Sequence, residues 1–150
     1  MEWIGIGALI ISGISLMVSI SAKKDTKKAS DKALKINLLE KRIPIYNATL
    51  SLISLSLRAY DLSIMGIQEF RQGIQNASHY YGDEIVEYLN ELNKKACKLS
   101  SYNTRARGET SDENRGEWWD ARNELVDYFM TQHDLAEQKF KSYLKIENDN

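Results

Sequence analysis

The chain holds a single cysteine, Cys97, which excludes an internal disulfide framework and any zinc site built from several thiolates. Its two histidines, His79 and His133, are far apart, and neither stands in an HExxH or ExxH arrangement, so metal-ligand spacing is absent. One proline and eight glycines exclude a collagenous or low-complexity chain. A glycine-rich phosphate loop is also missing: Gly5-Ile6-Gly7 lies in an apolar run and Gly66 stands alone. An excess of one charge is lacking too, because 20 Lys+Arg face 21 Asp+Glu, and a net charge of −1 gives no reason to expect nucleic-acid binding. No β-branched alternating run, hairpin dipeptide or internal repeat is present, so no strand is expected.

What remains is an ordinary amount of hydrophobic material, 43% of 150 residues, distributed unevenly. Residues 3–22 read WIGIGALIISGISLMVSISA and carry no charge. At about 1.5 Å per residue they would span roughly 30 Å, the thickness of a bilayer's hydrocarbon core. A buried core helix is usually shorter. A cleaved signal peptide needs a basic region before its apolar run, and only Met1, Glu2 and Trp3 precede this one, although Ser19-Ile20-Ser21 offers a weak small-x-small cleavage site. The segment therefore reads as an uncleaved transmembrane anchor. Lys23, Lys24, Lys27 and Lys28 follow it directly, and the positive-inside rule then places the N-terminus outside and the C-terminal side in the cytoplasm. Trp3 suits the outer interface.

Gly5, Ala8, Ser12, Ser15, Ser19 and Ala22 alternate spacings of three and four along this segment. Such a stripe lets helix backbones approach closely, and serine hydroxyls can hydrogen-bond across the contact, so it predicts self-association or pairing with another membrane protein. Gly and Ser are also common in membrane helices without any partner. A serine-lined pore would require several copies, and no ionisable residue marks an ion path.

Residues 23–44 carry eight basic against three acidic side chains, net +5, whereas residues 45–150 are net −5. The collar of Lys23, Lys24, Lys27, Lys28, Lys32 and Lys35 suits anionic lipid headgroups, each charge contributing about 1 kcal/mol near the surface. The same charges serve as the topology signal.

The residues after the collar read as an all-α bundle. Leu39, Ile43, Tyr46, Leu50, Ile53, Leu57, Tyr60, Ile64 and Ile67 alternate spacings of four and three, the seam of an amphipathic helix. Ile45, Leu52, Leu55 and Leu62 widen that face toward a bundle core. Pro44, lacking a backbone N–H, should start a new helix or kink one that runs on. Ser63 should cap a helix over about 64–76. Tyr80-Tyr81-Gly82 reads as a loop, with Asp83 capping a helix whose core positions are Ile85, Leu89, Leu92, Ala96 and Leu99. Residues 100–114 read as a loop. A last helix, capped from Thr110, Ser111 or Asp112, should run from about 114 to 144 and bury Trp118, Leu125, Tyr128 or Phe129, Leu135 or Ala136, Phe140 and Tyr143. The domain reading is an anchor over 3–22, a basic segment over 23–37, a bundle over 38–146 and a disordered tail over 147–150.

The catalytic inventory is thin, and the sequence points to neither an enzyme nor a cofactor. Cys97 reads as a small apolar filler, and only chance folding would pair it with His79. The acids Asp83/Glu84/Glu87/Glu91, Asp112/Glu113/Glu117/Asp120 and Asp134/Glu137 suit helix N-termini and solvent. The sequons at Asn47 and Asn76 fall in predicted cytoplasmic helices and carry no weight. Trp118 and Trp119 cannot both face one core, since adjacent helical residues point about 100° apart, so one of them, with Arg105 and Arg107, marks a candidate partner surface.

Leu38-Leu39-Glu40-Lys41-Arg42 with Tyr46, then Tyr80-Tyr81-Gly82, Ile85, Tyr88-Leu89, Glu91, Lys95-Ala96 and Leu99, and finally Phe140-Lys141-Ser142-Tyr143-Leu144, form a distinctive pattern. It resembles small uncharacterised bacterial proteins with an N-terminal membrane helix. Ser142 stands where that pattern has proline, and Pro44 is an addition. The resemblance implies a helical fold and membrane anchoring and carries no activity. The functional expectation is a membrane-tethered interaction or scaffold protein; the rival is a membrane-perturbing effector, a toxin or defence protein acting through assembled spans.

Overall fold

The computed structural model describes the backbone of residues 3–58, 62–107 and 115–145, and the side chains of 26–58, 62–105 and 116–145. Every element is helical: α1 (Trp3–Leu57), α2 (Ile64–Ile74), α3 (Ala77–Tyr80), α4 (Asp83–Arg107) and α5 (Arg115–Leu144). Among the described residues there is no strand. The chain divides into two compact units, Met1–Asn37 and Leu38–Asn150.

In the first unit the backbone from Trp3 onward is helical, and every side chain over 26–37 is exposed. The side chains of Gly5, Ala8, Ser12, Ser15, Ser19 and Ala22, and of Lys23 and Lys24, lie outside the described residues. Among the described residues no helix is long and apolar enough to cross a membrane, so the span expected over 3–22 finds no support there.

The second unit is a helical bundle whose core gathers Leu52 and Ile53 of α1, Ile67 and Phe70 of α2, Ile85, Leu89, Leu92, Ala96 and Leu99 of α4, and Phe129, Ala136 and Phe140 of α5. All five expected α4 core positions are buried. On α5 the alternatives resolve to Phe129 and Ala136, with Tyr128 and Leu135 half-buried beside them. The tail 147–150 and the expected α5 caps lie outside the described residues.

The α1 seam differs from the apolar reading. Ile43 and Leu57 are exposed, and the stripe that faces inward is Ile45, Thr49, Leu52 and Ser56, with Ile53 beside it. Two of these are polar. They can be buried because the Thr49 hydroxyl donates to the Ile45 carbonyl at 2.9 Å and the Ser56 hydroxyl to the Leu52 carbonyl at 2.8 Å. A hydroxyl bonded one turn back needs no other partner and leaves only its small apolar part to pack.

Pro44 does not begin a new helix. It sits exposed inside α1, which continues to Leu57. Ser63 does cap α2: its side chain accepts from the Gly66 N–H at 3.2 Å. Two glycines then let α2 approach α1. A Cβ on Gly73 would lie 2.6 Å from the Ala48 Cβ, and one on Gly66 would lie 3.1 Å from Leu55 Cδ1. Asp83 is the first residue of α4 rather than its cap, because the Gly82 carbonyl accepts the Val86 N–H at 3.3 Å. Residues 100–107, expected as loop, extend α4. Ser100 and Asn103 are buried there, and the Thr104 hydroxyl donates to the Ser100 carbonyl at 3.0 Å, so a polar sequence still offers the inner face that the helix needs.

Candidate functional site

Arg42, Tyr46, Tyr80, Tyr81, Gly82, Phe140 and Tyr143, from three of the sequence motifs, meet at one junction. The half-buried Arg42 donates from Nε to the Tyr80 carbonyl at 2.9 Å and from Nη1 to the Tyr143 carbonyl at 3.0 Å. Its guanidinium carbon lies 5.7 Å from the Tyr81 ring centre and 5.1 Å from that of Tyr143, within cation–π range. The Tyr81 hydroxyl returns a bond to the Arg42 carbonyl at 2.9 Å. Tyr46 packs on Phe140 at 5.2 Å between ring centres, and Tyr81 meets both Phe140 and Tyr143 edge-on at 5.0 Å. The Tyr143 hydroxyl accepts from the Gly82 N–H at 3.1 Å and donates to Glu84. That bond holds the Glu84 carboxyl below the ordinary glutamate range and raises the Tyr143 phenol. Burial raises Tyr81 much further. The helix-end carbonyls of α3 and α5 are thus satisfied by one arginine of α1, and the junction acts as a clasp.

The candidate partner surface lies where the C-terminal half of α4 meets the N-terminal half of α5. Trp118 and Trp119 are both half-buried. The Arg105 guanidinium carbon lies 5.2 Å from the Trp118 ring centre, and that of Arg122 lies 5.3 Å from Trp119. Arg122 Nε also donates to the Oδ1 of the buried Asn103 at 2.9 Å. The adjacent tryptophans therefore resolve their conflict by lying under separate arginines, one from α4 and one from α5. Of the residues singled out in the sequence, Arg105 and Trp118 are brought together. Arg107's side chain lies outside the described residues. Sequence reasoning missed Arg122 and Asn103; the signal for Arg122 was its place three and four residues after the two tryptophans, the spacing of neighbours on one helix face.

The collar lysines Lys27, Lys28, Lys32 and Lys35 are exposed. Cys97 and His79 are not a pair: Cys97 Sγ accepts from Arg71 at 3.2 Å, while His79 is exposed with its ring beside Tyr80. His133 faces Asp134 at 3.8 Å. Among the described residues no group of three or more His, Cys, Asp and Glu side chains could hold a metal ion. Comparison with known proteins finds no family model, no curated protein and no solved structure that matches this chain.

Proposed function

We propose that this protein is a membrane-tethered helical interaction module. Its apolar N-terminal segment anchors it in a bacterial inner membrane, N-terminus out, and Gly5, Ala8, Ser12, Ser15, Ser19 and Ala22 mediate self-association there. Lys23, Lys24, Lys27, Lys28, Lys32 and Lys35 hold anionic lipid headgroups, and the cytoplasmic bundle presents Arg105, Arg107, Trp118 and Trp119 to a partner. The observation that carries this reading is the uncharged run 3–22 immediately followed by lysines, of which Lys27, Lys28, Lys32 and Lys35 are exposed on α1. A soluble bundle has no use for twenty uncharged residues in one helix.

The test is a membrane two-hybrid measurement with Ser12→Leu and Ser15→Leu combined. Self-association should fall several-fold while membrane fractionation is unchanged, and undiminished association would overturn the assignment of the stripe. Induction in bacteria with a potential-sensitive dye completes the test. An intact membrane potential fits a tether, whereas its collapse would replace this reading with a membrane-perturbing effector.

A further inference from the structure

Arg71 of α2 is held in an unusual way. Its Nε donates to Asn93 Oδ1 at 2.9 Å and its Nη2 to Cys97 Sγ at 3.2 Å, both on α4. Neither acceptor is a carboxylate, and among the described residues no acid pairs with Arg71. Two bonds fix the plane of the guanidinium and leave its other N–H donors to point elsewhere.

A cavity of about 240 Å³ opens beside it, between α2 and α4. Ile64 and Ile67 form an apolar wall, Ser101 brings a hydroxyl, that of Thr104 is committed to the Ser100 carbonyl, and Arg71 is the only charged lining residue among the described ones. The exposed neighbours of its lining residues carry both signs, with cations in excess. On α4 the exposed Lys98 and Arg105 follow the lining residues Cys97 and Thr104, Arg105 also lying over Trp118, while on α2 the exposed Glu69 follows the lining residue Gln68. A second cavity, of about 270 Å³, also touches Arg71, but there the exposed Glu87 and Glu91 follow the lining residues Val86 and Asn90, against Lys94 after Asn93. The potential therefore favours an anion on the Cys97 side and not on the other.

We infer that the α2–α4 cavity at Arg71 binds a small organic anion, with its carboxylate or phosphate head on the guanidinium and the Ser101 hydroxyl and its apolar body against Ile64 and Ile67. A fixed arginine with free donors suits a planar oxyanion, and an apolar wall with a few convergent polar groups is the usual form of a small-ligand site.

Calorimetric titration of the full chain in lipid nanodiscs tests this with three probes that share one phenyl ring: benzoate, phenyl phosphate and the uncharged benzyl alcohol. At least one anion should bind about tenfold more tightly than the alcohol, the loss expected for a charge-assisted pair, and the better of the two identifies the head group. Arg71→Met should erase the difference. Because that change also removes the bonds to α4, Ser101→Phe serves as a second variant; it fills the cavity, leaves Arg71 in place, and should abolish anion binding. Equal affinity for anion and alcohol, no binding of either anion by the folded protein, or unchanged anion affinity in either variant would overturn the inference.

Discussion

Arg42 and Tyr143 lie 101 residues apart in the chain, yet the arginine both donates to the Tyr143 carbonyl at 3.0 Å and lies over its ring at 5.1 Å. This one contact joins α1 to the C-terminal turn of α5. A second bond from the same guanidinium to the Tyr80 carbonyl brings in α3.

Replacing Arg42 should therefore loosen three helices at once. Arg42→Met leaves two carbonyls without their charged donor and should cost about 2–4 kcal/mol. Arg42→Lys should recover less than half of that, since an ammonium cannot reproduce the fork that reaches both carbonyls. Urea unfolding followed by circular dichroism measures both variants.

The two variants Gly73→Ala and Gly116→Ala should separate packing from propensity. The first drives a methyl to within 2.6 Å of the Ala48 Cβ, a small rigid group that cannot swing away, and should destabilise by about 1–3 kcal/mol. The second meets nothing within 4 Å near the start of α5 and should be neutral or stabilising by up to about 1 kcal/mol. Melting temperatures that moved together would contradict the close α1–α2 approach.

Gln132 is buried, and its Oε1 is the one buried side-chain acceptor among the described residues without a partner. Its Nε2 donates to the Tyr128 carbonyl and the Thr131 hydroxyl, both of which have or can find other partners. Gln132→Met keeps the volume and removes the orphan. Stability should stay level or rise by about 1 kcal/mol, and a clear loss in thermal unfolding would show that the amide is needed.

Acid should weaken the clasp through Glu84. The Tyr143 hydrogen bond lowers its folded-state pKa, so the unfolded chain binds the proton more readily. The contribution is complete above the unfolded carboxyl's pKa and is lost as pH falls through the folded value. Tyr143→Phe should flatten that part of the acid stability profile. At the alkaline end the sign reverses. Burial raises Tyr81 and Tyr88 strongly and pushes Tyr128 up to about 12, so their contribution is present below the unfolded phenol's pKa and is lost as pH rises through the folded values. Phenolate absorbance should show all three titrating above the ordinary phenol range.

Reading the residues in order located much of this. The Ser63 cap, the α4 core positions and the start and end of α5 were legible because caps and apolar spacing act over a few residues. Three features were not. Thr49 and Ser56 are polar by type yet buried, since each hydroxyl closes a bond to its own helix. Residues 100–107 are poor in apolar side chains yet helical, since Ser100 and Asn103 find an inner face to fill. Arg122 became part of the candidate surface only when α5 packed on α4 and brought Asn103 beside it.

The division has a physical basis. Periodicity, capping and the charge sequence depend on neighbours within a turn or two, and they were enough to determine an all-helical chain, an uncharged N-terminal run and a basic collar. Whether a polar residue is buried, which arginine clasps which helix end, and where a cation is left without a carboxylate depend on groups distant in the chain. Those were decided only when Arg42 met Tyr143 and Arg71 met Cys97, because the energy of each contact lies in partners that no local pattern encodes.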